Sequence, residues 1–144
     1  MTAALATSLI GLFGSIAVAA LTYWATKRRE REAEWRKEKL GYYKAFVESM
    51  SGIVEGDDTP EGHKLYAKTT NSLLLFAPQT VITALNAFRS EIAISNQSRS
   101  PEKHDKLLAD LMLAIRKDVG VQPTDDPAKF KPMLWASGAR KNAI

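Results

Sequence analysis

Residues 2–24 read TAALATSLIGLFGSIAVAALTYW, a run of 23 residues without a charged side chain. As an α-helix, such a run is roughly 35 Å long, enough to cross a hydrocarbon core of about 30 Å with a slight tilt. Tyr23 and Trp24 close the run, where amphipathic rings favour the membrane–water interface. The sequence therefore predicts a transmembrane helix over residues 1–26, followed by a separate domain over residues 27–144.

Charged residues begin at Lys27, just after the apolar run. All 20 basic and 16 acidic residues lie after it, and residues 27–39 alone contain seven basic and four acidic side chains. By the positive-inside rule, this cluster places the N-terminus outside and the following domain in the cytoplasm, at an inner (plasma) membrane. The predicted interface residues, which would contact the headgroups of the lipid bilayer, are Tyr23, Trp24, Lys27, Arg28, Arg29 and Arg31.

Two other interpretations of this region are open. Ala17, Val18 and Ala19 would suit a signal-peptidase site, but the run lacks a basic segment before it and has a dense basic cluster after it, which favours an uncleaved helix. Trp24 and Trp35 with the basic residues also fit a nucleic-acid surface. Because the cluster adjoins the apolar run, we favour contact with lipid headgroups.

Small side chains recur every four residues along the apolar run. They form one continuous stripe on a helix, which lets a second backbone approach closely. The predicted oligomerisation face consists of Ala3, Thr7, Gly11, Ser15 and Ala19. The alternative is that small residues are simply frequent in membrane helices.

The remaining residues suit one helical domain. Leu40, Tyr43, Val47, Met50 and Val54 form a stripe at helical spacing that extends the first helix. A second helix is predicted from Pro60 to Ala77, and its apolar residues are Leu65, Leu73, Leu74 and Phe76. A third helix has an apolar face that consists of Val81, Ile82, Leu85, Phe88 and Ile92. A fourth begins at Pro101 and is ended by Gly120, and its inward stripe consists of Leu107, Leu108, Leu111, Ile115 and Val119. No stretch alternates with period two, so the predicted fold class is all-α: the transmembrane helix continuing into a cytoplasmic four-helix bundle. From residue 120 onward we expect an irregular segment, in which Phe130, Met133, Leu134 and Trp135 lie across the bundle.

The sequence lacks the motifs by which most cofactors and metal ions are bound. The chain has no cysteine, which excludes disulfides and cysteine-ligated metal sites. It also lacks a phosphate loop, a nucleophile elbow and a dinucleotide fingerprint. The two histidines, His63 and His104, are 41 positions apart, and this spacing gives no reason to propose a metal site between them. We therefore expect no cofactor and no metal.

Arg99 and His104 are the candidate catalytic pair. Four residues separate them, and they flank the predicted start of the fourth helix. A histidine can transfer protons near neutral pH, and an arginine can hold phosphate and stabilise developing charge, which together suit cleavage of RNA. The structural alternative is that Arg99 is a solvated loop cation and His104 packs against the core.

With this pair the sequence resembles the HEPN superfamily, helical bundles in which an Arg and a His separated by four to six residues lie at a helix junction. The resemblance implies a metal-independent ribonuclease that acts as a dimer, with Arg99 and His104 as the motif residues. One N-terminal membrane helix before such a domain is similar to the membrane-pore accessory proteins of type VI-B CRISPR systems. That similarity implies an oligomer whose membrane helices frame a pore.

The sequence thus predicts a single-pass membrane protein that forms homo-oligomers, with membrane perturbation or pore formation in antiviral defence as its function. A membrane-tethered ribonuclease, with RNA as its substrate, is the alternative from a different class. A non-catalytic adaptor that anchors a soluble protein partner is the third. Whether the chain is an enzyme is left open.

Overall fold

A computed structural model of the chain describes residues 2–54 and 57–134, with side chains in the first helix from Gly11 onward. The described residues form helices and connections, and no strand occurs among them. The elements are α1 (Thr2–Met50), a 3₁₀ turn (Ser51–Ile53), α2 (Pro60–Leu73), α3 (Gln79–Ile92) and α4 (Pro101–Asp118). The predicted all-α helical bundle is confirmed.

Internal contacts divide the chain into two compact units, Met1–Glu38 and Lys39–Ile144. In the first unit every described side chain from Gly11 to Trp24 is exposed. The large apolar ones among them are Leu12, Phe13, Ile16, Val18 and Leu21. Among the residues whose side chains are described, no helix has the length and apolar character needed to cross a membrane.

The second unit holds the hydrophobic core, to which all four helices contribute. Its buried members are Tyr43, Phe46, Met50, Tyr66, Leu73, Ala77, Val81, Leu85, Phe88, Leu108, Leu111 and Ile115. The predicted stripes of α3 and α4 are confirmed, with Ile82, Ile92, Leu107 and Val119 half-buried at the margin of the core. Burial of this apolar surface is the main favourable contribution to the stability of such a bundle.

The helix termini follow the local signals in the sequence. Thr59 caps α2 by accepting a hydrogen bond from the Gly62 N–H, and Ser100 caps α4 by accepting one from the Lys103 N–H. In both helices a proline follows the cap, where its missing N–H costs nothing. Gly120 ends α4 in the left-handed conformation at φ 75°, which favours glycine.

Several finer predictions are wrong. Leu40, expected inside, is half exposed, whereas Phe46, which is not in the predicted stripe, is fully buried. Helix α2 ends at Leu73 rather than at Ala77. Met133 lies 75% exposed, while Leu134 packs on the core as expected. The prediction for Trp135 falls outside the described residues.

The end of the bundle where Lys39 lies is held by a partly buried polar cluster. Asp118, at the C-terminus of α4, accepts hydrogen bonds from the Tyr43 hydroxyl at 2.6 Å and from the Lys39 ammonium at 3.1 Å. Burial first, and the Asp118 carboxylate second, raises the pKa of Tyr43. These contacts satisfy the polar groups at this end, and the opposite end of the bundle carries the candidate site.

Candidate functional site

A cavity of about 890 Å³ opens at the end of the bundle where α2 and α4 begin and α3 ends. Both members of the predicted catalytic pair, Arg99 and His104, line it. His63, which the sequence analysis left unconnected, lines the same cavity. We call this cavity, with Arg99, His104 and His63 in its wall, the histidine cleft.

The connection between α3 and α4 is shaped by one buried carboxylate, Glu91, whose side chain is 1% exposed. It accepts hydrogen bonds from the Lys103 ammonium at 2.7 Å, from the Ser100 N–H at 2.9 Å and from the Asn96 side chain at 3.3 Å. Donation from Lys103 first, and from Ser100 second, holds the pKa of Glu91 below its usual range. Glu91 therefore fixes the loop that presents Arg99 and the start of α4.

Arg99 lies on that loop with an exposed side chain. Its Nη2 donates to the Ala93 carbonyl at 2.8 Å, just beyond the end of α3. A guanidinium carries five N–H donors in a planar fork, and this bond engages one of its nitrogens. The arrangement orients the group at the cleft wall and is compatible with binding an anionic oxygen there.

His104 is oriented from two sides. Its ring packs against Phe88 with the ring centroids 5.4 Å apart. Its Nδ1 lies 3.1 Å from the Asp105 carboxylate. A carboxylate at one ring nitrogen fixes the orientation of an imidazole and leaves the other nitrogen, Nε2, for a ligand or a proton transfer.

His63 reaches the histidine cleft from a sequence segment that matches the one around His104. Residues 59–63 read TPEGH and residues 100–104 read SPEKH. Each segment begins with the hydroxyl cap and proline of a helix, and each histidine is the fourth helical residue. The repeated pattern, a Ser or Thr, Pro, Glu, any residue and His, is the sequence signal that connects the two histidines.

The glycine of the first segment has a packing role. A Cβ on Gly62 would lie 2.8 Å from the Cα and 2.8 Å from the carbonyl carbon of Gly52, and nearer still to the Gly52 oxygen. Only two glycines allow the backbones of α2 and the 3₁₀ turn to approach so closely. This contact places the start of α2, and with it His63, beside the 3₁₀ turn.

The predicted oligomerisation and interface residues belong to the first unit, and those of them that the structure describes are not among the residues that line the histidine cleft. Gly11, Ser15 and Ala19 are exposed, and a Cβ added to Gly11 would meet no atom within 4 Å. The side chains of Ala3 and Thr7 fall outside the described residues.

The predicted interface cations are exposed, and two of them form ion pairs within their own helix. Lys27 pairs with Glu30 at 2.7 Å and Arg28 with Glu32 at 2.9 Å. The Arg28 guanidinium also lies 5.7 Å from the centre of the Trp24 ring. Exposed pairs of this kind contribute little to stability.

Comparison with protein-family models, with curated proteins and with solved structures finds no match for this chain. Within residues 2–54 and 57–134, no cluster of three or more His, Cys, Asp or Glu side chains is placed to hold a metal ion.

Proposed function

We propose that this chain is a single-pass membrane protein with its N-terminus outside and its helical domain in the cytoplasm. One observation carries the proposal: the large apolar side chains between Leu12 and Leu21 are all exposed. A helix that exposes apolar side chains around its circumference needs an apolar environment. The uncharged run of the sequence also extends to Thr2, over residues whose side chains are not described.

The polar groups within this helix are compatible with lipid. The Ser15 hydroxyl donates to the Leu12 carbonyl and the Thr22 hydroxyl to the Val18 carbonyl, both at 2.8 Å. In a bilayer every polar group needs such an internal partner. The test is alkaline carbonate extraction of cells that express the full chain. Retention in the membrane pellet is expected, and release into the soluble fraction would contradict the proposal.

For the activity, we favour self-association that perturbs the membrane, including a pore-forming role in antiviral defence. Support comes from the small-residue stripe, of which Gly11, Ser15 and Ala19 are described and exposed. Close approach of backbones along such a stripe stabilises helix pairs in membranes. Because a single helix cannot enclose a channel, a pore requires several copies.

The substitution Gly11→Ile tests this contact, and Ala20→Ile is its control because residue 20 lies on the opposite side of an α-helix at 100° per residue. We expect Gly11→Ile to reduce cross-linked oligomers and to abolish any loss of membrane potential on expression. Ala20→Ile should change neither. Equal cross-linking of both variants and the parent chain would refute self-association through this face.

The second candidate is a membrane-tethered ribonuclease, as the HEPN resemblance suggests. The observation that favours it is that Arg99 and His104 line the same cavity. In this mechanism His104 transfers a proton and Arg99 holds the phosphate. His104→Ala should abolish RNA cleavage while the protein stays in the membrane, and Lys106→Ala on the same helix should retain activity.

If the chain is instead an adaptor, the variants of both preceding tests should have no effect. Neither Gly11→Ile nor His104→Ala would then change membrane potential or RNA cleavage. A soluble protein would instead co-purify with the full chain and be lost when the domain after residue 39 is mutated. Loss of potential that depends on Gly11 excludes this class.

A further inference from the structure

We propose that residues 122–134 form a strap that opens and closes one side of the histidine cleft, with the ion pair between Arg116 and Asp125 as its latch. In the structure the strap is closed, because the residues at its far end line the cleft: Pro132, Met133 and Leu134. The proposal goes beyond the function proposed above, and it holds for the pore, the ribonuclease and the adaptor alike.

The strap returns along the helix that precedes it. Helix α4 begins in the wall of the cleft at Pro101 and ends at Asp118. With 1.5 Å of rise per residue, a helix of 18 residues is about 27 Å long. The chain turns at Gly120, and residues 132–134 lie in the cleft wall again. The strap therefore spans the distance from the C-terminus of α4 back to the cleft.

Few interactions hold the strap in place. None of its residues, all of which the structure describes, is buried, and residues 122–124 and 126–129 are exposed. It contains neither helix nor strand, and the N–H groups of Lys129 and Phe130 donate to the Asp126 carbonyl within the strap itself. A segment with little buried surface and few backbone hydrogen bonds opens at a lower free energy than the whole domain unfolds.

Arg116 provides the main attachment of the strap to α4. Its Nε donates to Asp125 Oδ2 at 2.7 Å, and its Nη2 donates to Oδ1 at 2.9 Å. The same guanidinium lies 5.4 Å from the centre of the Phe130 ring. A bidentate arginine–carboxylate pair is stronger than a single hydrogen bond, and the Asp125 side chain is only 21% exposed. Arg116 therefore fixes two points of the strap at once.

At the cleft the strap contributes apolar side chains. Leu134 packs against the core, whereas Met133 is 75% exposed. Apolar contacts are non-directional, so they do not by themselves fix the position of a segment without secondary structure. Breaking the latch should therefore release the strap and open the cleft, although neither Arg116 nor Asp125 belongs to the cleft wall.

The chain has no cysteine, so a single introduced thiol reports the opening of one position. Leu108→Cys places the thiol in the cleft wall, and Leu111→Cys places it on the same helix at a buried position outside that wall. Labelling of the full chain by a maleimide is measured in detergent micelles at urea concentrations below the unfolding transition. If the strap opens by itself, labelling at position 108 is faster than at position 111 and depends less on urea, because the surface exposed sets the urea dependence. Equal rates with the same urea dependence would overturn the proposal, since the cleft would then open only when the domain unfolds.

Asp125→Asn tests the latch, and Asp126→Asn is its matched control. Both substitutions change one aspartate of the strap to the neutral amide, but Asp126 pairs with Lys129 inside the strap, at 3.3 Å. In the Leu108→Cys chain we expect Asp125→Asn to accelerate labelling by about three- to tenfold, the effect of weakening a partly exposed bidentate pair. Asp126→Asn should leave the rate unchanged. Equal rates for the two variants would refute the latch.

A second measurement needs no substitution in the core. Trypsin binds an extended segment, so its cut after Lys129 follows the fraction of chains in which the strap is detached. Arg116→Gln breaks the latch from the side of α4, and Lys117→Gln removes a neighbouring exposed charge as the control. By mass spectrometry, the fragment that ends at Lys129 should appear about three- to tenfold faster in Arg116→Gln alone. Equal cleavage of both variants and the parent chain would overturn the proposal.

Discussion

Replacing Gly62 by alanine tests how the wall of the histidine cleft is built. The new Cβ would lie 2.8 Å from the Gly52 Cα and in overlap with the Gly52 carbonyl oxygen. Ordinary carbon–carbon contacts begin near 3.4 Å. Both partners are backbone atoms, so rotation of a side chain cannot relieve the overlap. Helix α2 and the 3₁₀ turn must move apart.

Two opposing effects set the size of the change. Alanine stabilises a helix interior over glycine by up to about 1 kcal/mol. Inserting a methyl group into a closely packed contact costs about 1–3 kcal/mol. We expect Gly62→Ala to lower the free energy of unfolding by about 1–2 kcal/mol, which for a domain near 100 residues lowers the Tm by roughly 4–16 °C.

Gly41→Ala is the matched control. Gly41 lies exposed on α1, and a Cβ there would meet no atom within 4 Å. That substitution should raise the Tm, because only the helix preference of alanine acts. Differential scanning calorimetry of the full chain measures both variants. If Gly62→Ala raises the Tm as Gly41→Ala does, the backbone contact between Gly52 and Gly62 is refuted.

Two further outcomes follow from buried polar groups. Thr69→Val should destabilise the domain by about 1 kcal/mol in a denaturant titration, because its hydroxyl bonds to Ser49 at 2.7 Å; unchanged stability would contradict this contact. The pKa of Glu91 is lowered in the folded state, chiefly by Lys103. The carboxylate therefore contributes its full stabilisation at any pH above its unfolded-state pKa of about 4.3. That stabilisation is lost as the pH falls through the pKa that Glu91 has in the folded state. Hydrogen exchange in the α3–α4 connection should therefore accelerate in acid in the parent chain and be fast throughout in Glu91→Gln; protection that is independent of pH would refute this role.

The helices could be predicted where apolar residues form the buried face. In α3 and α4 the buried positions Val81, Leu85, Leu108 and Leu111 are aliphatic, and their spacing is visible in the sequence. The same reasoning fails for α2. Its buried residues within the helix are Tyr66, Thr70 and Leu73, so two of the three carry a hydroxyl. The apolar residues of α2 therefore do not mark its buried face, because Leu73 is buried but Leu65 is half exposed.

The site could be predicted only where its members are close in sequence. Arg99 and His104 flank one helix start, so their proximity is local. His63 shares the local sequence pattern of His104, but its place in the cleft depends on the tertiary contact between α2 and the rest of the bundle, which the pattern alone does not report. Glu91 is equally hidden, because a single acidic residue in a helix gives no sign that it is buried and accepts three hydrogen bonds.

Helices α2 and α4 begin with the same sequence pattern but pack against different neighbours, and the residue before each histidine accounts for the difference. In both segments the cap, the proline and the glutamate begin the helix, so each imidazole leaves its helix at the same position. The variable residue makes the contact to the neighbouring element. At position 62 only glycine fits, because the backbone of Gly52 lies against it. At position 103 the lysine side chain extends to Glu91 and pairs with its carboxylate. The helix start therefore sets the direction of each histidine, and the variable residue sets the position of that helix start in the bundle. The placement of the two imidazoles relative to each other consequently depends on Gly62 and Lys103, although neither residue would take part in proton transfer or in binding a ligand.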